Sequence, residues 1–529
     1  MRITFLFALA LTAVFVDVVL SSDRAHPRRV QPRSSTARLG AASHITNQAE
    51  RDASYWNEFA QDTLKDKIQQ AAKLNTADTA NVAKNVIMFL GDGMSVHTVT
   101  AARNLMGDSS NQLSFEQFPY LGLSKTYCID RQVADSACTA TAYLGGVKAN
   151  YGTIGVNAKV KRYNCIDGQN PANYVESIAK WAQDAGKDAG LVTTARVTHA
   201  SPAGVYAHTA NRDWENDAKV VANGCSATDN VDIARQLVEW DVGKKLKVVM
   251  GGGRRNFINT TVNDEEGLPG LRTDGRNLIQ DWLKDKEANN QQAAYVWSKK
   301  GLSLVDLDKT EYLMGLFANS HCPYNGDLER SNYKLVKPSL TEMTEAAIKV
   351  LQKNQNGYFL FVEGARIDMA HHDTRARKSL EDTVEFSRAI ERARAMTSEE
   401  DTLIVVTSDH SHTMTINGYP YRDLPITGLS NALADDGLPY TILSYANGPG
   451  FSTTYNDKTG RSEITAEETE NVNFEYLATV PLDSETHGGD DVGVFASGPF
   501  AQYFTGNYEQ SNIPAMMARA LNIGPFANL

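Results

Sequence analysis

The sequence predicts an α/β protein built on a large, mostly parallel central sheet with helices on both faces, and three observations carry that expectation. Its apolar, β-rich runs are unbroken rather than alternating, the pattern of strands buried on both faces. Amphipathic helical patterns separate them, such as NYVESIAKWAQDAGK and SLTEMTEAAIKVLQKN. Several runs stop abruptly in charged or metal-competent residues, at the edge where folds of this kind hold their ligands.

In chain order, residues 1–22 (MRITFLFALALTAVFVDVVLSS) join a basic residue, an apolar run and small residues, which reads as a cleaved secretory signal. Residues 23–45 are basic and poor in apolar side chains, a flexible lead-in to a domain expected over 46–529. A strand at 86–90 ends in Gly91-Asp92-Gly93, and one at 190–194 leads into ARVTHASPAG. The run at 246–253 ends in three glycines, the run at 358–364 carries Glu363, and the run at 402–412 ends in Asp409, His410 and His412. The last, at 492–498, follows ETHGGDD. Asp92, Glu363, Asp409 and His410 would thus gather at one sheet edge from distant parts of the chain. A single Asp after a strand would more often be a helix cap; four such strand ends with hard or borderline metal ligands are a pattern. The stretch from about 413 to 486 is rich in Gly, Asn, Thr and Asp, lacks βα alternation, and reads as an insertion on that edge.

A net charge of −11 argues against a nucleic-acid surface, and an anionic substrate would need strong local positive charge. Beyond the leader, no window is long and apolar enough to span a bilayer. Secretion permits disulfides. The five cysteines are Cys128, Cys138, Cys165, Cys225 and Cys322, an odd number whose pairing the sequence does not assign. Asn259, in Asn-Thr-Thr, is the plain glycosylation sequon.

The stretch VADSACTATAYLGGVKANYG places two possible nucleophiles, Ser136 and Cys138, on a helix-compatible run. Ser136 has no evident Ser-His-Asp partner pattern, so a metal beside it is the available activator. Cys138 reads as a small packing residue behind it. Asp368 and His372 stand four residues apart, on one face if that segment is helical, and suit zinc, with His487 able to complete the set. Asp409 and His410, with Asp92, could build a second site. Asp92, Glu363 and a hydroxyl form an oxygen-only set that suits magnesium. Bound cations would supply the positive charge the chain lacks. His97, His208 and His321 read as structural.

Six motifs in order, DGM after a strand, DSACTATAYLGGVK, HASPAGVYAHTANR, VEGARIDMAHH, TSDHSH and ETHGGDD, closely resemble alkaline phosphatase of the animal subtype. The resemblance runs from about Trp56 to about Pro525. It implies a broad-specificity hydrolase of small phosphomonoesters, in which Ser136 becomes phosphoserine and Arg212 grips the phosphate bidentately. It implies one zinc on Asp368, His372 and His487, a second on Asp92, Asp409 and His410 with Ser136 reaching it, and magnesium on Asp92, Ser201 and Glu363. His199 and His412 match residues beside the metals, and Cys165 and Cys225 match the family's disulfide. Tyr419 matches a residue that reaches the partner subunit's site, which implies a homodimer. The 413–486 insertion corresponds to the family's crown domain.

Three departures stand out. Met369 replaces a histidine of the vertebrate pattern. Ala318 and Lys337 fall where vertebrate members carry two carboxylates of a calcium site, so two zinc and one magnesium are expected and no calcium. The chain ends at PAMMARALNIGPFANL without a hydrophobic tail, and a secreted, soluble enzyme with no membrane anchor is the expectation. The alternatives are a phosphodiesterase of the same superfamily and a catalytically silent secreted binding relative.

Overall fold

The computed structural model describes residues 47–73, 82–107 and 109–527; the expected leader (1–22) and lead-in (23–45) lie outside the described residues. The chain divides into two compact units. One comprises Ile45–Asp368, Leu380–His412 and His487–Leu529; of the described residues, the other holds Met369–Ser379 and Thr413–Thr486.

The first unit is built on a ten-stranded sheet. Its strands are β1 (Asn85–Gly91), β2 (Tyr120–Lys125), β3 (Asp188–Arg196), β4 (Val248–Gly252), β5 (Ala293–Val296), β6 (Tyr312–Leu316), β7 (Tyr358–Gly364), β8 (Thr402–Thr407), β9 (Val492–Ser497) and β10 (Gly506–Glu509). They lie in the order β10-β2-β9-β8-β1-β7-β3-β4-β6-β5. Every residue of β1 is buried, as its unbroken apolar run requires. It pairs in parallel with β7 on one side and β8 on the other, and Leu90 stands opposite both Glu363 and Thr407. That register brings the residues following β1 and β8, Asp92 and Asp409, out at one height beside Glu363.

Two features differ from the sequence reading. β9 runs antiparallel to both β2 and β8, because hydropathy reports burial and not direction. The residues that precede it therefore lie at the edge where β1, β7 and β8 end, which is how His487 joins them. The strands β2, β5, β6 and β10 were not foreseen. In β2 only alternate positions are buried, and Leu121 and Leu123 are exposed, so no unbroken run marks it. The runs at 246–253 and 402–412 also stop earlier, at Gly252 and Thr407. His412 instead belongs to a two-residue pairing of Ser411–His412 with His487–Gly488.

Helices cover the sheet. The one over Ser136–Gly145 is capped by Asp135, whose side chain accepts from the Cys138 amide. Its Tyr143 is fully buried and stacks on Phe361 of β7 with ring centroids 6.2 Å apart. Burying such a side chain stabilises by about 2 kcal/mol and anchors the helix over the site edge. The two expected helices appear at Ile178–Asp184, shorter than its pattern, and Leu340–Leu351, which opens with a Ser339–Glu342 capping box.

The second unit has no βα alternation among its described residues. It holds a three-stranded sheet of Thr415–Ile416, Leu443–Gly448 and Ala478–Pro481, two-stranded ribbons and short helices. His371 lies inside it, 2.8 Å from the Tyr445 hydroxyl and 2.8 Å from the Ser379 hydroxyl, a structural role. The His372 Nδ1 donates to the Glu485 carbonyl at 2.5 Å.

The cysteines bring a correction. Cys138 is not a free packing residue but is bonded to Cys128, while Cys165 is bonded to Cys225 and Cys322 is free and buried. A buried helix position looks the same in sequence whether its thiol packs or pairs. No helix among the described residues is long and apolar enough to cross a membrane.

Candidate active site

Ser136 is the first residue of its helix, so its hydroxyl sits at the positive end of the helix dipole, where an anion is favoured. Its Oγ lies 3.2 Å from His410 Nε2. That nitrogen is 3.1 Å from Asp409 Oδ2 and 3.5 Å from Asp92 Oδ1, and Asp92, Asp409 and His410 form a group of potential ligands. Asp409 is held through its other oxygen, which accepts from the Gly93 and His410 amides, each at 3.0 Å. Gly93 is required here. Its φ is +66°, and a Cβ would fall 2.4 Å from the His412 ring.

Beside this group lie Asp368, His412 and His487, whose potential ligand atoms are all within 4.8 Å of one another. His412 Nε2 is 2.7 Å and His487 Nε2 3.4 Å from Asp368 Oδ1. The His487 ring stacks on His410 at 3.5 Å and donates from Nδ1 to the Ala134 carbonyl at 2.7 Å, leaving Nε2 as the free-electron-pair nitrogen. The helix Arg366–His372 carries Asp368 in its first turn and His372 one turn later.

The oxygen-only set is also brought together. Asp92 and Ser201 lie close enough to Glu363 to affect its charge, and the Thr193 hydroxyl donates to Glu363 Oε2. Among the described residues neither Asp92 oxygen, nor Glu363 Oε1, nor the Ser201 hydroxyl oxygen has a hydrogen-bond partner, all of them buried, and Asp409 Oδ2 faces the His410 ring nitrogen at 3.1 Å. Buried oxygens of this kind normally have partners.

Electrostatics make the same point. Asp92, Glu363, Asp368 and Asp409 are all essentially inaccessible to solvent. Burial, reinforced by Asp368, Asp409 and Glu363, raises the Asp92 carboxyl well above its usual range. Burial also raises Glu363, against the Thr193 hydrogen bond. It presses His487 down to about 4, so that ring is neutral, helped by the neighbouring His410. The guanidinium of Arg212 does not relieve the acids, because its Nη1 is committed to Asp135 Oδ2 at 3.0 Å. Its Nη2 lies 3.4 Å from His199 Nε2. Carboxylates, imidazoles and orphaned oxygens are a donor set that fits divalent cations.

Asp135 escaped the sequence reading, since its position before a helix looks like any N-cap. Tyr143 did too; its phenol is raised by burial and by Asp409 and Glu363.

A serine hydroxyl at a helix N-terminus, a buried guanidinium and two carboxylate–imidazole groups at one edge of an α/β sheet fit an enzyme class that acts on anions with the help of metals. Known proteins narrow the class. The family model described as alkaline phosphatase matches residues 83–523. The chain is 46% identical to membrane-bound alkaline phosphatase of Bombyx mori, over 96% of this chain and 91% of the relative. It is 44% identical to the human tissue-nonspecific isozyme, over 93% of each. Alkaline phosphatase of the Antarctic bacterium TAB5 shares the fold, with a TM-score of 0.56 and 22% identity over 83% of this chain and 99% of the other. The Thermus thermophilus enzyme does likewise, at 0.59 and 22% over 83% and 91%. The chain belongs to the alkaline phosphatase family and is an enzyme that hydrolyses phosphate monoesters.

Proposed function

We propose that the chain hydrolyses phosphomonoesters of broad structure through a phosphoserine at Ser136. The observation that carries this reading is the position of the Ser136 hydroxyl, 3.2 Å from the His410 nitrogen that also faces the buried carboxylates of Asp92 and Asp409. Asp368 and His487, with His372 one turn beyond Asp368, would hold one zinc; Asp92, Asp409 and His410 would hold the second. Asp92, Ser201 and Glu363 would hold magnesium. When bound, these ions would balance the acids, favour the serine alkoxide and offset charge developing on the phosphoryl oxygens.

The protein's own groups do the rest. The helix N-terminus and Arg212 would face the phosphate with N–H donors, and Asp135, which accepts from Arg212 Nη1, fixes the orientation of the guanidinium. Ser136 Oγ attacks phosphorus, the alcohol leaves, and water then cleaves the phosphoserine. His199 and His412 hold Arg212 and Asp368 in place.

No calcium enters this reading. Lys337 is buried, with its ammonium donating to the Phe317 carbonyl at 2.5 Å and paired with Glu266, so the place is filled by a charge of the chain. Extracellular residence is supported by the two disulfides and by the Asn259 sequon on a loop. We place the crown domain in the unit containing 413–486 and read Tyr419, 99% exposed and in the left-handed region, as its contact with a second subunit. Sedimentation at twice 58.0 kDa checks the dimer.

The decisive test is acid quenching of the enzyme with labelled inorganic phosphate, followed by peptide mapping. Label on Ser136, absent in Ser136→Ala, supports the reading; turnover without label on Ser136 removes it.

A further inference from the structure

Residues 126–135, between β2 and the helix that starts at Ser136, form an irregular segment whose start and end are buried but whose Arg131, Gln132 and Val133, just before the site, are exposed. Yet its last two residues and the first of the helix each touch a different group of the site. The Ala134 carbonyl receives the His487 ring N–H at 2.7 Å. The Asp135 carboxylate receives Arg212 at 3.0 Å, along with the Gly152 amide at 3.0 Å and the Cys138 amide at 3.3 Å. Ser136 meets His410 at 3.2 Å. These three residues lie inside the covalent ring closed by Cys128 and Cys138, ten positions apart. Both sulfurs are near Asp135: the Cys128 sulfur is 3.8 Å from Oδ1 and the Cys138 sulfur 3.4 Å from the carbonyl oxygen. With Ala134 and Ala149 the two cysteines make a small buried cluster under the segment.

We infer that the Cys128–Cys138 disulfide is a positioning device for the reaction, which holds Asp135, and through it Arg212, in register with Ser136. The inference rests on the reading of Ser136 and Arg212 given above. A partly exposed, irregular segment must end in three consecutive residues placed to a fraction of an ångström, and a misplacement of about 1 Å can cost on the order of a hundredfold in rate. Apolar burial does not reach Arg131, Gln132 and Val133, which face solvent immediately before Ala134. A covalent link from the start of the segment to the first turn of the helix spans them. The Cys165–Cys225 disulfide, whose surroundings are Val156, Val160, Trp214 and Val220, touches none of these groups and is the structural comparator.

The test compares Cys128→Ser/Cys138→Ser with Cys165→Ser/Cys225→Ser in the metal-loaded enzyme. The first pair should raise the inhibition constant of inorganic phosphate and the KM of p-nitrophenyl phosphate by about tenfold, with a smaller fall in kcat. The second pair should lower Tm more and leave both constants within about twofold. Arg212→Ala should weaken phosphate binding by a smaller factor without the Cys128–Cys138 link than with it, because the two changes act on one contact. Should the serine pair not fold, Cys128→Ala/Cys138→Ala matches the apolar cluster and carries the same test. Lowered Tm with unchanged phosphate inhibition and full additivity with Arg212→Ala would overturn the inference. A wild-type enzyme that neither hydrolyses phosphomonoesters nor binds phosphate would instead overturn the reading beneath it.

Discussion

Two nests of acids in the same unit differ in where their positive charge comes from. Around Lys337, the Arg254 guanidinium meets Asp264 at 3.1 Å and pairs with Glu266, while the Lys337 ammonium pairs with Glu266 and donates to the Phe317 carbonyl. Around Ser136, Asp92, Glu363, Asp368 and Asp409 are buried, both Asp92 oxygens and Glu363 Oε1 accept no hydrogen bond, and the nearby guanidinium is taken by Asp135. An uncompensated buried charge costs several kcal/mol, so Asp92 and Glu363 alone would offset a large share of the roughly 5–15 kcal/mol that stabilises a domain. The first nest is closed by the chain; the second requires cations from outside. That difference separates an acidic cluster built for stability from one built for chemistry.

The largest effect should come from removing one acid of the open nest. Asp92→Asn is expected to cut p-nitrophenyl phosphate turnover by at least about a hundredfold, since in the proposed reading its oxygens would serve two cation sites. In chelator the same change should raise Tm above that of the metal-free wild type, because it removes a like charge from beside Asp368, Asp409 and Glu363. A lower Tm in chelator would count against the account.

The closed nest should respond in the opposite way. Lys337→Met leaves Glu266 with Arg254 alone and the Phe317 carbonyl without its ammonium donor, and should cost about 3 kcal/mol in urea unfolding, with kcat within a few-fold of wild type. Converting one nest into the other sharpens the comparison. Ala318→Glu with Lys337→Asp should make stability depend on calcium, with a gain of about 1–2 kcal/mol at tenfold excess over Kd and none in the wild type.

The smallest effect concerns a third buried acid. Asp382 accepts from the Asn325 amide at 3.0 Å, and burial pushes its carboxyl up to about 8. The folded chain thus keeps a proton that an unfolded aspartate releases near pH 4. This group's contribution is present at low pH and is lost as pH rises from about 4 to about 8. Asp382→Asn should therefore raise Tm more at pH 9 than at pH 5, measured by calorimetry; a pH-independent difference would show that the carboxyl is not raised.

How much of this the sequence reveals depends on the kind of signal. β1, β7 and β8 are buried on both faces and read directly as unbroken apolar runs, which put Asp92, Glu363 and Asp409 at their ends. β2 alternates and β9 runs backwards, and neither alternation with exposed leucines nor strand direction is written in hydropathy. Asp135 and the Cys128–Cys138 bond escaped because both are tertiary facts: an N-cap aspartate gives no sign of the arginine it meets, and spacing does not choose a cysteine's partner. The roles proposed for Ser201, Arg212 and Tyr419 come from the resemblance in motif order, since periodicity alone leaves them as ordinary polar residues.

The measurement closest to the central claim is metal content against activity in the purified enzyme. Stripping with chelator at pH 8 should abolish phosphomonoester hydrolysis, and adding back zinc and magnesium should restore it at about two and one equivalents per chain, with calcium neither retained nor needed. Full turnover by a chain shown to be metal-free would contradict the account, because the four carboxylates beside Ser136 would then have no cation to answer for them.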